Sequence, residues 1–153
     1  MLTEYEVFEI EREKVRETNK LHLNGFRIWL KNNGLSTGTI NKHVSNADLY
    51  INHYLCYYDI RDVAAGWYSV DMFFDDWFIR KCWATKWTMK SNAASIKKFY
   101  AYMVAINVVE ESEYENLCET IKEEMPEWLE SMREHNYRVM NYVDYSRAWD
   151  EVD

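Results

Sequence analysis

The sequence has little of the two residues that interrupt helices most often. It contains only 4 glycines and 1 proline among 153 residues. Sheet architectures with many tight turns need more of both. The scarcity predicts an all-α fold, and the helices predicted below give it four to five core helices with further helical segments at the two ends.

The sequence also lacks long apolar runs and paired cysteines. No run of about 18 apolar residues occurs, so we expect no membrane span. The N-terminal "MLTEYEVFEIEREK" is charged and does not resemble a signal segment. The three cysteines, Cys56, Cys82 and Cys118, are odd in number and far apart, which argues against a disulfide framework. We therefore expect an intracellular, cytoplasmic setting.

Charge is distributed unevenly along the chain. The formal net charge is −8, yet residues 20–98 hold 6 acids and 11 bases. Residues 110–134 hold 10 acids and 2 bases. Since local charge decides what a surface contacts, an acidic protein of this kind can still present a basic face.

Apolar periodicity and capping residues predict the order of the helices. We expect a charged helix or frayed arm over 1–18, a helical domain over 19–125, and an acidic, aromatic extension over 126–153. Within the domain, helices are predicted over 19–32, from Ser36 to about Asp59, from Ser69 to Lys81, from Thr88 or Ser91 to about Ile106, and over 110–124. Gly34 is predicted to end the first of these, and Pro126 to open a short further helix. The core faces predicted for the second, third and fourth of these helices are Ile40, Val44, Ala47, Ile51, Tyr54 and Tyr58; Val70, Phe73, Phe74, Trp77 and Phe78; and Met89, Ala93, Ile96, Phe99, Tyr100, Met103 and Ile106.

Two of these helices carry polar faces away from their apolar stripes. In the helix after Ser36, the face comprises Thr39, Lys42, His43 and Asn46. In the helix near Ser91, the face comprises Lys90, Ala94, Lys97 and Ala101. Lysines suit phosphate oxygens, and small residues let a helix approach a surface closely. Both faces are predicted to point outward.

Three stretches together resemble a known domain. They are "FRIWLKNNGLSTGTINKHVSNADLYINHYL", "SVDMFFDDWFIRK" and "TMKSNAASIKKFYAYMV". In order and spacing they resemble the N-terminal core-binding domain of tyrosine recombinases and phage integrases, over about residues 19–109. The chain looks most like short recombinase-like proteins made of this domain alone. The resemblance implies a SAM-like orthogonal helical bundle that covers one face of duplex DNA.

The resemblance also implies which residues contact DNA. Carried over position by position, they are Ser36, Thr37, Thr39, Lys42, His43, Lys90, Ser91, Lys97 and Lys98. The polar face of the helix after Ser36 adds Asn46, whose amide suits a base edge.

Catalysis is not expected, although the family is catalytic. Its chemistry needs a tyrosine nucleophile, two arginines, a histidine and a lysine in a second domain, and here only 44 residues follow Val109. "HNYR", His135 to Arg138, fits the family's "HxxR" pattern without its context. Asp75 and Asp76 are interpreted as solvated charges, and we expect no metal site and no cofactor.

Two functions follow from these observations. The first is a non-catalytic module that contacts the backbone of duplex DNA through two basic helix faces. The alternative is a protein–protein interaction module on the same scaffold that has lost DNA binding, with a catalytic recombinase or another protein as its partner. Segment 110–134 then either docks on a basic protein or covers the basic face. Three tryptophans offer a further alternative, the stacking of single-stranded bases on Trp67, Trp83 and Trp87. We expect these rings to pack at the core and its edges instead.

Overall fold

The computed structural model describes the backbone of residues 1–150 and the side chains of residues 1–141. Within that part of the chain the protein is helical, without strands, which confirms the predicted all-α class. The helices are α1 (Glu4–Asn32), α2 (Thr37–Asp48), α3 (Val70–Met72), α4 (Phe78–Lys81), α5 (Lys86–Ala105) and α6 (Glu111–Asp150). A first π segment (Leu49–Tyr54) prolongs α2, a 3₁₀ helix (Val63–Tyr68) precedes α3, and a second π segment (Phe73–Trp77) joins α3 to α4.

Helix α1 is longer than the sequence indicated. It begins at a capping box between Thr3 and Glu6 and continues through the position where a new helix was predicted. Asn19 does not cap a helix there. It is buried, and its amide donates to the Ile51 carbonyl at 3.3 Å. Gly34 ends the helix region with φ of +84°, the left-handed conformation predicted for it.

Helix α2 begins as predicted and ends earlier. The Ser36 hydroxyl accepts the Thr39 N–H. In the predicted apolar stripe, Ile40, Ala47, Ile51 and Tyr54 are buried and Val44 is half-buried. The π segment then closes with a bond from the Leu55 N–H to the Tyr50 carbonyl, and Tyr58 beyond it is exposed.

The third predicted helix corresponds to α3, the second π segment and α4. Its predicted core residues are all buried: Val70, Phe73, Phe74, Trp77 and Phe78. Ser69 precedes it without a side-chain capping bond, because its hydroxyl lies 3.2 Å from the Arg61 guanidinium instead.

Helix α5 lies at the centre of the bundle, between α2 and α6. It starts at Lys86, before both predicted positions, because Thr85 and Thr88 form a capping box. Ile106, at the far end of its predicted stripe, is exposed. The other residues of the stripe are buried: Met89, Ala93, Ile96, Phe99, Tyr100 and Met103.

Helix α6 passes through Pro126 without the predicted break. Proline removes one backbone hydrogen bond, but apolar side chains on both sides of it hold the helix on the core. Ile121 and Trp128 are buried, and the Trp128 ring stacks on Phe74 with centroids 4.9 Å apart. Its Nε1–H donates to the Asp71 carboxylate at 2.7 Å. Residues 126–132, assigned to an extension, thus contribute to the core.

No helix in the described part of the chain is both long enough and apolar enough to cross a membrane.

Candidate nucleic-acid interface

Helices α2 and α5 meet through polar side chains. Ser95 is fully buried at their seam, and its hydroxyl lies 2.8 Å from Nδ1 of His43. The Asn46 amide donates to the hydroxyls of Ser95 at 3.0 Å and Ser91 at 3.3 Å. This small network fixes the register between the two helices that the sequence assigned to DNA.

The predicted outward orientation of His43 is therefore wrong. Its ring is only 7% exposed, because α5 packs against the flank of α2 that carries it. Burial lowers the pKa of His43, and the positive charges of Lys42 and Lys98 lower it further. The ring is neutral near pH 7 and adds no positive charge to a phosphate site.

Asn46 and Ser91 also form hydrogen bonds within the protein. Both are half-buried, and each bonds to the other across the seam. At the start of α2, Ser36 and Thr37 are exposed and Thr39 is half-buried. The Ser36 and Thr39 hydroxyls lie 3.0 Å apart and form the cap, so Thr37 keeps the freest of these hydroxyls.

The predicted lysines lie on the outer sides of the same helix pair. Lys42, Lys90 and Lys98 are exposed, whereas Lys97 is half-buried. Lys42 and Lys98 lie near the seam from opposite helices, since the charges of both act on His43. Lys86 joins this group one turn before Lys90, because α5 starts earlier than predicted. We call the following set the basic surface: Lys42, Lys86, Lys90, Lys97 and Lys98.

The two helices that carry the basic surface contain a single acidic residue. Helix α5 contains no Asp or Glu, and α2 contains one, Asp48, at its far end. In the described residues, none of the five lysines forms an ion pair with a carboxylate. Their positive charge is therefore available to a ligand.

Two tryptophans near this surface are exposed, contrary to prediction. Trp83 is 86% exposed and Trp87 is 69% exposed, whereas Trp67 is half-buried against the core. The ammonium of Lys42 lies 6.0 Å from the centroid of the Trp87 ring. The sequence prediction did not place Lys86 and Trp87 on this surface. The capping pattern T-x-x-T, Thr85 to Thr88, would have indicated them, because it starts α5 at Lys86.

The acidic segment 110–134 does not cover the basic surface. Its helix packs through its apolar side against α3, the second π segment, the 3₁₀ helix and α5. Lys42, Lys90 and Lys98 remain exposed in its presence. The hypothesis that this segment shields the basic face is thus wrong for the described residues.

The "HNYR" segment lies on α6 beside two carboxylates. His135 and Arg138 line a cavity of about 210 Å³ together with Asp75, Asp76 and Arg80. Arg80 bonds to Asp76 at 2.8 Å and lowers the pKa of that carboxyl. Tyr142 and Tyr145, the tyrosines considered with this segment, have side chains outside the described residues. Among the described residues, no group of three His, Cys, Asp or Glu side chains is placed to hold a metal ion.

Comparison with models of known protein families, with curated proteins and with solved structures found no match to this chain.

Proposed function

We propose that this protein is a non-catalytic DNA-binding module, related to the core-binding domain of tyrosine recombinases. It contacts the backbone of duplex DNA through the basic surface. The observation that carries the proposal is the presence of five lysines, without an ion-paired carboxylate in the described residues, on the outer sides of two helices packed together.

The side chains on this surface favour backbone contacts over base readout. Lysine binds phosphate as a point charge, and neither α2 nor α5 contains an Arg or Gln side chain for bidentate contact with a base edge. The two asparagines nearest the seam are engaged internally, since Asn46 bonds across the seam and Asn92 is buried with its amide on the Thr88 carbonyl. Binding is therefore weak and sequence-independent, with a Kd on the order of 10⁻⁴ to 10⁻⁶ M at physiological salt.

A charge-reversal variant with a matched control tests the proposal. The test variant replaces three exposed lysines of the basic surface by glutamate: Lys42→Glu, Lys90→Glu and Lys98→Glu. The control replaces three exposed lysines elsewhere, which gives the same net charge: Lys14→Glu, Lys20→Glu and Lys122→Glu. Fluorescence anisotropy with a labelled duplex is measured over a salt series.

We expect the parent and the control to bind at low salt and the test variant not to bind. Log Kd against log salt should have a slope of up to about 4.5 for the parent, since the surface has five lysines and each neutralised phosphate contributes about 0.9. Equal loss of binding in both variants would mean that only total charge matters, and the assignment to α2 and α5 would fail.

The second candidate is a protein-interaction module, and the acidic face of α6 favours it. Glu115, Glu119 and Glu123 are exposed at successive turns. A partner that fits this face is a basic protein surface. Absence of duplex binding by the parent at low salt, together with binding to poly-lysine that Glu115→Lys/Glu119→Lys/Glu123→Lys abolishes, would favour this candidate over DNA binding.

A further inference from the structure

A cationic pocket lies at a different place from the basic surface. It is a cavity of about 380 Å³ between α1, the first π segment and the end of α4. Four basic side chains line it: Arg12, Arg16, His53 and Lys81. Pockets of this size accommodate small molecules.

The basic side chains are held in place by neighbouring groups. Arg16 donates to the Asn52 carbonyl at 2.9 and 3.3 Å, which fixes its guanidinium beside the π segment. The Lys81 ammonium lies 5.2 Å from the centroid of the Tyr57 ring. Burial raises the pKa of the Cys56 thiol in the wall, and the nearby charges of Arg16 and Arg12 oppose that rise.

Two acids neutralise part of this charge. Glu9 pairs with Arg12, and Asp48 lies 3.8 Å from His53. In the described part of the chain, Arg16 and Lys81 have no carboxylate partner, and no carboxylate lines the pocket. Two cations that line one pocket without a carboxylate among its lining residues favour an anion there.

The rest of the wall is apolar and aromatic, and it includes a donor without an acceptor. Leu49, Tyr57 and Trp77 line this part. Trp77 is only 5% exposed, and its buried indole N–H has no hydrogen-bond partner. Because this N–H is itself closed off from solvent, it reports on the packing of the wall and is not counted as a binding group.

We propose that this pocket binds a small molecule that carries a phosphate group on an aromatic or apolar body. Arg16 and Lys81 bind the phosphate oxygens by charge-assisted hydrogen bonds. The aromatic wall packs against the body. The site is separate from the basic surface and does not depend on DNA binding.

Calorimetric titration with phenyl phosphate, inorganic phosphate and phenol tests the site. The full-length parent is compared with Arg16→Gln/Lys81→Gln and with the control Lys14→Gln/Lys122→Gln, which removes the same charge. Lys81→Gln alone serves as a second variant, since Lys81 is exposed and makes no buried bond that folding requires.

We expect phenyl phosphate to bind the parent more tightly than either fragment. The double variant should weaken binding by at least about tenfold, the equivalent of one charge-assisted hydrogen bond, and Lys81→Gln should weaken it less. The control should bind as the parent does. Failure of the parent to bind phenyl phosphate at millimolar concentration, or equal loss in the control, overturns the proposal.

The indole of Trp77 provides a local readout, and duplex DNA separates the two sources of phosphate. The Trp77 Nε1–H signal, assigned with Trp77→Phe, should shift in ¹H–¹⁵N spectra when phenyl phosphate is added. A duplex should compete neither with this shift nor with phenyl phosphate binding. Loss of duplex binding in the double variant, without phenyl phosphate binding to the parent, would mean that the pocket holds a phosphate of DNA and would overturn the small-molecule site.

Discussion

Helices α5 and α6 are neighbours on one core and opposites in charge. Helix α5 carries four lysines and no acid, whereas residues 110–134 carry 10 acids and 2 bases. Both bury an apolar stripe in the same cluster. The net charge of −8 describes neither surface, because contact with an anionic partner depends on the charges of the residues at the point of contact.

The two helices are also attached to the bundle differently. Helix α5 meets α2 through the network of His43, Asn46 and Ser95, which sets a unique register. Helix α6 is attached mainly through large apolar side chains, with Trp128 fully buried. The polar seam positions the basic surface, and the apolar contact keeps the acidic helix on the other side of α5.

Replacing Trp128 by alanine gives the largest expected effect on stability. The change removes a fully buried ring, its stacking on Phe74 and its hydrogen bond to Asp71. The free energy of unfolding should fall by about 3–5 kcal/mol in urea denaturation. A change in unfolding free energy close to zero would show that Trp128 does not hold α6 on the core. The apolar attachment of α6, in contrast to the polar attachment of α5, would then be contradicted.

Replacing Ser95 by alanine tests the polar seam. His43 and Asn46 then lose the hydroxyl that they share in a buried position. The free energy of unfolding should fall by about 1–3 kcal/mol, because buried polar groups are left unpaired. Ala94→Ser, one position away on the exposed side, is the control and should leave stability nearly unchanged. A neutral Ser95→Ala variant would mean that the seam is held by apolar contacts alone.

The pH dependence of stability gives the smallest effect. The pKa of His43 is lowered from its ordinary value of 6.5, so the unfolded chain binds its proton at higher pH than the folded protein does. The associated stability is present above pH 6.5 and is lost as the pH falls through the folded pKa.

Urea denaturation above and below that range measures this loss. The parent should lose more stability on acidification than His43→Gln, in which the titrating ring is absent. The pKa of His22 is lowered too, so part of the loss remains in that variant. Identical pH dependence in His43→Gln and the parent would contradict a buried neutral His43.

The helical class followed from the scarcity of glycine and proline, and most core positions followed from periodicity. The stripe from Val70 to Phe78 is buried as the spacing predicted, and so is the stripe from Ile40 to Tyr54 except for the half-buried Val44, since a 3.6-residue period places such side chains on one face. Gly34 ended a helix because its left-handed conformation is a local property of the chain.

Other features depend on partners that spacing within one helix does not reveal. His43 lies beside the polar face of α2, but whether that flank is solvated depends on where α5 packs. Pro126 signals a helix start locally, and the contacts of Trp128 with Asp71 and Phe74 outweigh that signal. The same applies to Asn19, whose amide is satisfied by the π segment of another helix.

The most direct test of a localised basic surface exchanges charge between the two regions while the net charge stays at −8. One variant combines six replacements at exposed positions: Lys42→Glu, Lys90→Glu, Lys98→Glu, Glu115→Lys, Glu119→Lys and Glu123→Lys. Duplex binding is measured at low salt beside the parent, with unfolding curves to establish that the variant is folded. We predict that the parent binds and the folded exchange variant does not. Equal affinity of the two proteins would contradict the account, because DNA would then respond to total charge and not to the surface of α2 and α5.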